Sequence, residues 1–283
     1  MAVGIPVFVE NILAVIVLLR CRNMIVQIRT LLLNLSIADC MTGLVLTVPD
    51  YAYELVFHCR IKKYLAATIV FGTFFIISLL NLDRCLALFF GIRYYMKVTA
   101  FRVRLSCVSA WFLAVVNSYL MYFDPSEPTG IYCSMMFSSP HNFGTAISRA
   151  SIMIFAFINI AFLGFMLYML PKQATSRVLS KMALITGFAL VCYTPALLLH
   201  AFFPMEDNYY RRLIAYTGVL LFSNSIFNPI LYVWRFKEAR HYVTRIFCFW
   251  NKKYLEKCDK DWKFQTATFD ICCSNSVQFD RSA

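Results

Sequence analysis

Charge is scarce in this chain. Charged residues make up 15% of it, against 60% hydrophobic residues and a mean hydropathy of +0.64. A soluble domain carries about 25% charged residues, so this scarcity excludes a water-soluble globular protein and indicates a membrane one. Acidic residues are the rarer sign, 15 against 27 basic, leaving a net charge of +12. The basic residues fall in short clusters between apolar runs and not along one polar face, which excludes nucleic-acid binding. Catalytic signatures are missing too. There is no His-Glu-x-x-His pair and no nucleophile elbow, and no ring of charges lies inside the apolar runs as an ion pore needs. No internal repeat of the transporter kind is visible. The 11 cysteines follow no zinc spacing.

What remains is a series of apolar runs, each near the roughly 20 residues that a helix needs to cross the hydrocarbon core. They fall at about 3–20, 31–56, 62–90, 105–123, 148–170, 178–203 and 211–234, separated by polar or turn-rich breaks. This predicts an all-α membrane protein, a bundle of seven transmembrane helices over residues 1–235. Residues 236–249 place Phe236, Tyr242, Val243, Ile246 and Phe249 on one side and basic residues opposite, the pattern of a short eighth helix lying in the membrane interface. Residues 250–283 are expected to form a flexible cytoplasmic tail.

Lysine and arginine placement orients the bundle. Arg20, Arg22 and Arg29 follow the first run; Arg93, Lys97, Arg102 and Arg104 follow the third; Lys172, Arg177 and Lys181 follow the fifth. These loops and the basic C-terminus are expected in the cytoplasm, with the N-terminus outside. The opposite loops hold Asp124, Glu127, Glu206 and Asp207, along with Arg60, Lys62, Lys63, Arg211 and Arg212. The opening residues lack a charged leader, so no cleavable signal is expected. Only ten residues precede Asn11, and the one Asn-x-Ser site, at Asn34, falls on the cytoplasmic side. A minimal extracellular tail or a truncated chain would both give this.

Polar residues inside apolar runs are costly and therefore informative. Asn11, Asp39, Thr73, Asn224, Ser225 and Asn228 are such residues. Each alone serves as an interhelical hydrogen bond, the better reading for Asn11. Together they would form a carboxylate surrounded by oxygen ligands, suited to a small cation such as sodium.

The chain resembles the rhodopsin-like G-protein-coupled receptors over nearly its whole length. The residues that carry the likeness are Leu35-Ser36-Ile37-Ala38-Asp39, Asp83-Arg84-Cys85, Trp111, Cys192-Tyr193-Thr194-Pro195 and Asn228-Pro229-Ile230-Leu231-Tyr232. Each is weak alone; their order, one to a run, is specific. The resemblance implies a cell-surface receptor at the plasma membrane, with a heterotrimeric G protein, an extracellular ligand, membrane lipids and arrestin as partners and no cofactor beyond an allosteric sodium ion. It matches Asn11 to the family's first-helix asparagine, and Asp39, Thr73, Asn224, Ser225 and Asn228 to its sodium pocket. Cys59 and Cys133 both face the oxidising side, and the resemblance implies that they pair. Cys248 is either a palmitoylation site or an unmodified interfacial cysteine.

Asp83 and Arg84 are adjacent charges at the membrane boundary, where ordinary interfacial anchoring is one reading. The resemblance implies another: Arg84 is held by Asp83 at rest and released toward a G protein and Tyr168 on activation, with Tyr193, Pro195, Asn228, Pro229 and Tyr232 completing the switch. Thr175 stands where the family carries an acidic partner, which implies appreciable basal activity. Other departures are Cys85 for a tyrosine, Tyr193 for a tryptophan, Ile160 for the fifth-span proline, Gly91 for a loop proline and Ala189 for a phenylalanine. The missing fifth-span proline is similar to the melanocortin, lysophospholipid and cannabinoid group, whereas the Cys59 and Cys133 pair is not.

By the same likeness Lys62, Ala66, Ala67, Val70, Met153, Leu197, His200 and Phe222 line the extracellular cavity. Ala66 replaces the aspartate of amine receptors, so a cationic amine would lack its counter-ion. Phe222 replaces the retinal lysine of opsins. Lys62, one turn outside Ala66, either meets an anionic head group of a ligand or snorkels into outer-leaflet lipid. A lipid-like or acidic small molecule is the expected ligand, with a peptide, or a non-signalling decoy or scaffold role, as alternatives.

Overall fold

The computed structural model describes residues 3–47, 56–122, 143–169, 176–202, 208–248 and 250–260. The elements in chain order are α1 (Gly4–Arg20), α2 (Val26–Thr47), α3 (Val56–Phe90), a 3-10 turn (Gly91–Arg93), α4 (Tyr94–Lys97), α5 (Ala100–Tyr122), α6 (Phe143–Met169), α7 (Ser176–Phe202), α8 (Asn208–Arg235) and α9 (Lys237–Phe247). Among the described residues there is no strand. Seven of these helices are long; α4 is a single turn, and the short α9 follows the last of the long ones. Val26–Thr47, Ile61–Phe90, Ala100–Met121 and Ala146–Met169 meet both the length and the apolarity of a membrane span. The α1 helix, at 17 residues, is about 25 Å long, slightly under a full crossing.

The long helices form one bundle around α3. All of residues 71–78 are buried, which only a helix surrounded on every side shows. Packed against it are Leu31, Leu32 and Leu35 of α2, Ala110 and Ala114 of α5, Ile152 and Met166 of α6, and Ala189 and Tyr193 of α7. The outer faces expose large apolar side chains, among them Phe112, Phe157, Val191 and Val219, the surface that lipid would cover.

Two glycine contacts set helix spacing. A Cβ on Gly43 would lie 2.6 Å from the Phe8 nitrogen, and one on Gly4 would lie 2.8 Å from the Gly43 oxygen. Backbone thus meets backbone between α1 and α2, an approach that only small residues permit. At Gly91 the reason is conformational. Its φ is +52°, a region closed to proline, whose φ is fixed near about −65°. The loop proline expected by resemblance cannot stand there, and the left-handed glycine turns the chain from α3 into α4.

Two sequence expectations need correction. The second span starts at Val26 and not at 31, because Val26 starts a helix at once after the short turn; it is described as far as Thr47, and residues 48–55 lie outside the described residues. The short eighth helix is Lys237–Phe247 and not 236–249, because Phe236 is extended, with φ −100° and ψ 118°. Its first turn is fixed by the buried Glu238, whose Oε1 accepts the Asn23 N–H at 3.3 Å. Phe236, Tyr242, Val243 and Ile246 pack on the core, while Lys237, Arg240 and Arg245 are exposed. Within the expected tail, residues 252–260 are helical. Asn251 caps that helix by accepting the Tyr254 N–H at 3.1 Å. Asp259 returns to His241 Nε2 at 3.3 Å. Burial holds the His241 imidazole below its ordinary range, with Asp259 opposing.

Candidate functional site

The mid-bundle cluster centres on Asp39, which is wholly buried. Its Oδ1 accepts the Ser225 hydroxyl at 2.6 Å and its Oδ2 accepts the Asn228 amide at 2.8 Å. Asp39 makes no ion pair among the described residues. Both amide atoms of Asn224, the Ser36 hydroxyl and the Asn11 Oδ1 are buried without a hydrogen-bond partner, and Tyr193 faces Thr73 and Asn224. The structure therefore brings Asp39, Ser225 and Asn228 into direct contact and places Thr73, Asn224 and Tyr193 against one another. Buried polar atoms without partners cost about 1–3 kcal/mol each, and an unpaired buried carboxylate costs more. A small cation on these oxygens would offset that cost. The donor set of one carboxylate with hydroxyl and amide oxygens fits sodium, a hard ion.

Asn11 has a further role. Pro229 has no N–H, so the Ser225 carbonyl four residues earlier loses its helical donor. The Asn11 Nδ2 donates to that carbonyl at 2.9 Å, and also to the Val7 carbonyl at 2.9 Å. The amide of α1 thereby fills the gap that proline opens in α8.

At the other end of α3, Asp83 is 4% exposed and Arg84 11%. Arg84 Nε donates to Asp83 Oδ2 at 2.9 Å and its Nη2 binds the same oxygen. The Tyr94 hydroxyl donates to Asp83 Oδ1. Tyr94, on α4, was not foreseen: the tyrosine follows in a loop, and only the turn at Gly91 brings it back. Burial first, then the hydrogen bond to Asp83, holds its phenol above the ordinary range, so it stays a donor.

Between the two ends lies a second unforeseen cluster. Asn81 Nδ2 donates to Asn159 Oδ1 at 2.7 Å, Asn159 Nδ2 donates to Ser78 Oγ at 2.6 Å, and Thr186 Oγ1 donates to Asn81 Oδ1. All four residues are buried. They tie α3, α6 and α7 together one residue from Ile160, which is 51% exposed and faces outward. From residue 73 to residue 84, about 16 Å along the axis, α3 thus carries Thr73, Ser78, Asn81, Asp83 and Arg84 as one polar column.

The remaining expected residues are more dispersed. Lys62, Ala66, Val70, Met153 and Phe222 are partly buried, and Pro195 lies inside α7. Leu197 and His200 belong to the last two turns of α7 and Tyr232 to the end of α8 by backbone position. Tyr168, near the end of α6, is 62% exposed. Cys248 is the half-buried C-cap of α9. Cys59 falls in the first turn of α3, whereas Cys133 and Thr175 lie outside the described residues.

The family model for the 7 transmembrane receptor (rhodopsin family) matches residues 10–232. That stretch takes in every helix from α2 to α7, the Asp39 cluster and the Asp83–Arg84 pair. With most of its length matched, the chain belongs to the rhodopsin family of seven-transmembrane receptors and is a multi-pass membrane protein of the G-protein-coupled receptor class.

Proposed function

We propose that this receptor works at the plasma membrane with its N-terminus outside, binds a lipid-like or acidic small molecule, and activates a heterotrimeric G protein from its cytoplasmic end. The observation that carries the reading is the held guanidinium of Arg84, nearly buried and bonded to Asp83. A buried charge pair that opens outward is a two-state element. Ligand choice is supported by Ala66, which offers no counter-ion to an amine, by the apolar Val70, Met153, Leu197 and Phe222, and by the positive charge of Lys62, one turn outside Ala66 on α3. The Cys59 and Cys133 disulfide would tie α3 to the loop above it.

In the resting bundle Asp83 and Tyr94 keep Arg84 turned inward. Sodium, when bound at Asp39, Ser225, Asn224, Asn228 and Thr73, supplies a positive charge to the buried carboxylate. Movement at Pro195 and Pro229, where the helix ladders are broken, would let α7 and α8 swing, freeing Arg84 toward Tyr168, Tyr232 and the G protein. The exposed cations of α9 face the anionic inner leaflet, and Cys248 is placed for acylation there.

Nucleotide exchange on a panel of G proteins, measured for wild type and for Arg84→Ala at equal surface expression, tests the reading. Exchange by the wild type, lost in the variant, is the expected result. Absence of exchange in both would instead make this a non-signalling decoy or scaffold, the reading favoured by Cys85 and Tyr193.

A further inference from the structure

A cavity separate from the Asp39 cluster opens at the Arg84 end of the bundle, between α2, α3, α4 and α5. Its volume is about 340 Å3, at the small end of ligand sites, and its walls include Leu31, Leu79, Leu82, Leu86, Phe90 and Val103. Two cations, Lys97 and Arg102, also line it. The Lys97 ammonium stands 5.4 Å from the centroid of the Phe90 ring. Arg102 Nη1 donates to the Lys97 carbonyl at 2.6 Å, so the bend between α4 and α5 fixes the two together. Both are exposed, and neither forms an ion pair among the described residues. The acidic group among the lining residues, Asp83, is already engaged by Arg84 and Tyr94. The surface beside the cavity is lipid-like in character, with Phe89 and Phe101 largely exposed.

An apolar slot capped by two uncompensated cations fits an amphiphile with an anionic head. We propose that this cavity binds an anionic phospholipid of the cytoplasmic leaflet, one acyl chain entering the slot and the net negative head group meeting Lys97 and Arg102. The slot holds part of one chain; the rest of the lipid stays in the bilayer. Basic pockets between helices on the cytoplasmic side are the usual places for such head groups. Only the assignment of leaflet rests on the orientation proposed above.

The test uses the full chain in nanodiscs of phosphatidylcholine mixed with phosphatidylserine, with the lipid retained after detergent extraction counted by native mass spectrometry. Wild type is expected to keep phosphatidylserine in preference to phosphatidylcholine. The Lys97→Gln, Arg102→Gln double variant should lose about tenfold or more of that preference, as two head-group contacts imply. Ser106→Trp, which fills the slot and leaves both cations, should lower phosphatidylserine retention as well, and Arg93→Gln, an exposed cation outside the lining, should not. No preference in the wild type overturns the proposal, as does an unchanged double variant. Full retention by Ser106→Trp overturns it too, because the cations would then act as a general surface field. Retention is read without any G protein, so its failure and a failure of signalling are separate results.

Discussion

Asp39 is a single carboxylate placed where no counter-charge from the described protein reaches it. Its two hydrogen-bond donors, Ser225 and Asn228, are neutral, and neutral donors offset only part of the cost of burying a charge. Asn224, in the same cluster, has both amide atoms buried without a hydrogen-bond partner. Sodium should therefore stabilise the purified receptor relative to potassium at equal ionic strength, by about 2.7 kcal/mol at a hundredfold excess over Kd. Asp39→Asn keeps the shape, removes the charge, and should abolish the sodium effect in a thermal unfolding assay. An equal sodium response in both proteins would rule out Asp39 as the ligand.

At the level of single helices, spacing is decided by two glycines that periodicity does not single out. A Cβ on Gly43 would lie 2.6 Å from the Phe8 nitrogen, whereas a Cβ on Gly164 meets nothing within 4 Å. Gly43→Ala should cost about 1–3 kcal/mol, because backbone must separate to admit the methyl group, while Gly164→Ala should stabilise by up to about 1 kcal/mol through helix propensity. Paired unfolding curves of the two variants check this. The contrast also marks how far the sequence could be read. The long helices announced themselves through apolar runs, and Asp39, Asn228 and the Asp83–Arg84 pair stood out as charges or amides in the wrong solvent. Ser78, Asn81, Asn159 and Thr186 did not, because each is one ordinary polar residue in a long apolar run and only the packing of α3, α6 and α7 makes them a set. Tyr94 was hidden for a related reason: a left-handed turn at Gly91, invisible to periodicity, returns it to Asp83. The start of α2 was placed too late because Gln27 and Arg29 look like loop residues, yet Gln27 is buried and bonds the Val98 carbonyl at 2.8 Å, and Arg29 bonds the Cys21 carbonyl at 2.9 Å.

On the scale of the whole bundle, the bonds from Thr186 to Asn81 and on to Asn159 and Ser78 bind α7 and α6 to α3 midway between the Asp39 cluster and Arg84. Opening α7 away from α3 has to break the Thr186 bond. Thr186→Val leaves the Asn81 carbonyl buried without its donor, a cost of about 1–3 kcal/mol borne by the closed state, which corresponds to roughly 5- to 150-fold in the equilibrium between states. Ligand-independent nucleotide exchange should rise accordingly at matched expression. Unchanged basal exchange would mean that the bond persists in both states and does not gate the bundle.

The amide of Asn11 on the Ser225 carbonyl joins α1 to α8 across 214 residues. In lipid an unanswered carbonyl costs several kcal/mol, so α8 cannot complete its own backbone until α1 is beside it. α8 thus depends on α1, made well before it at the ribosome, and only a chain in which every intervening span has inserted in the right direction can bring the two together. A receptor that has lost Asn11 would be caught as an unfinished bundle during biogenesis, before any ligand could reach it.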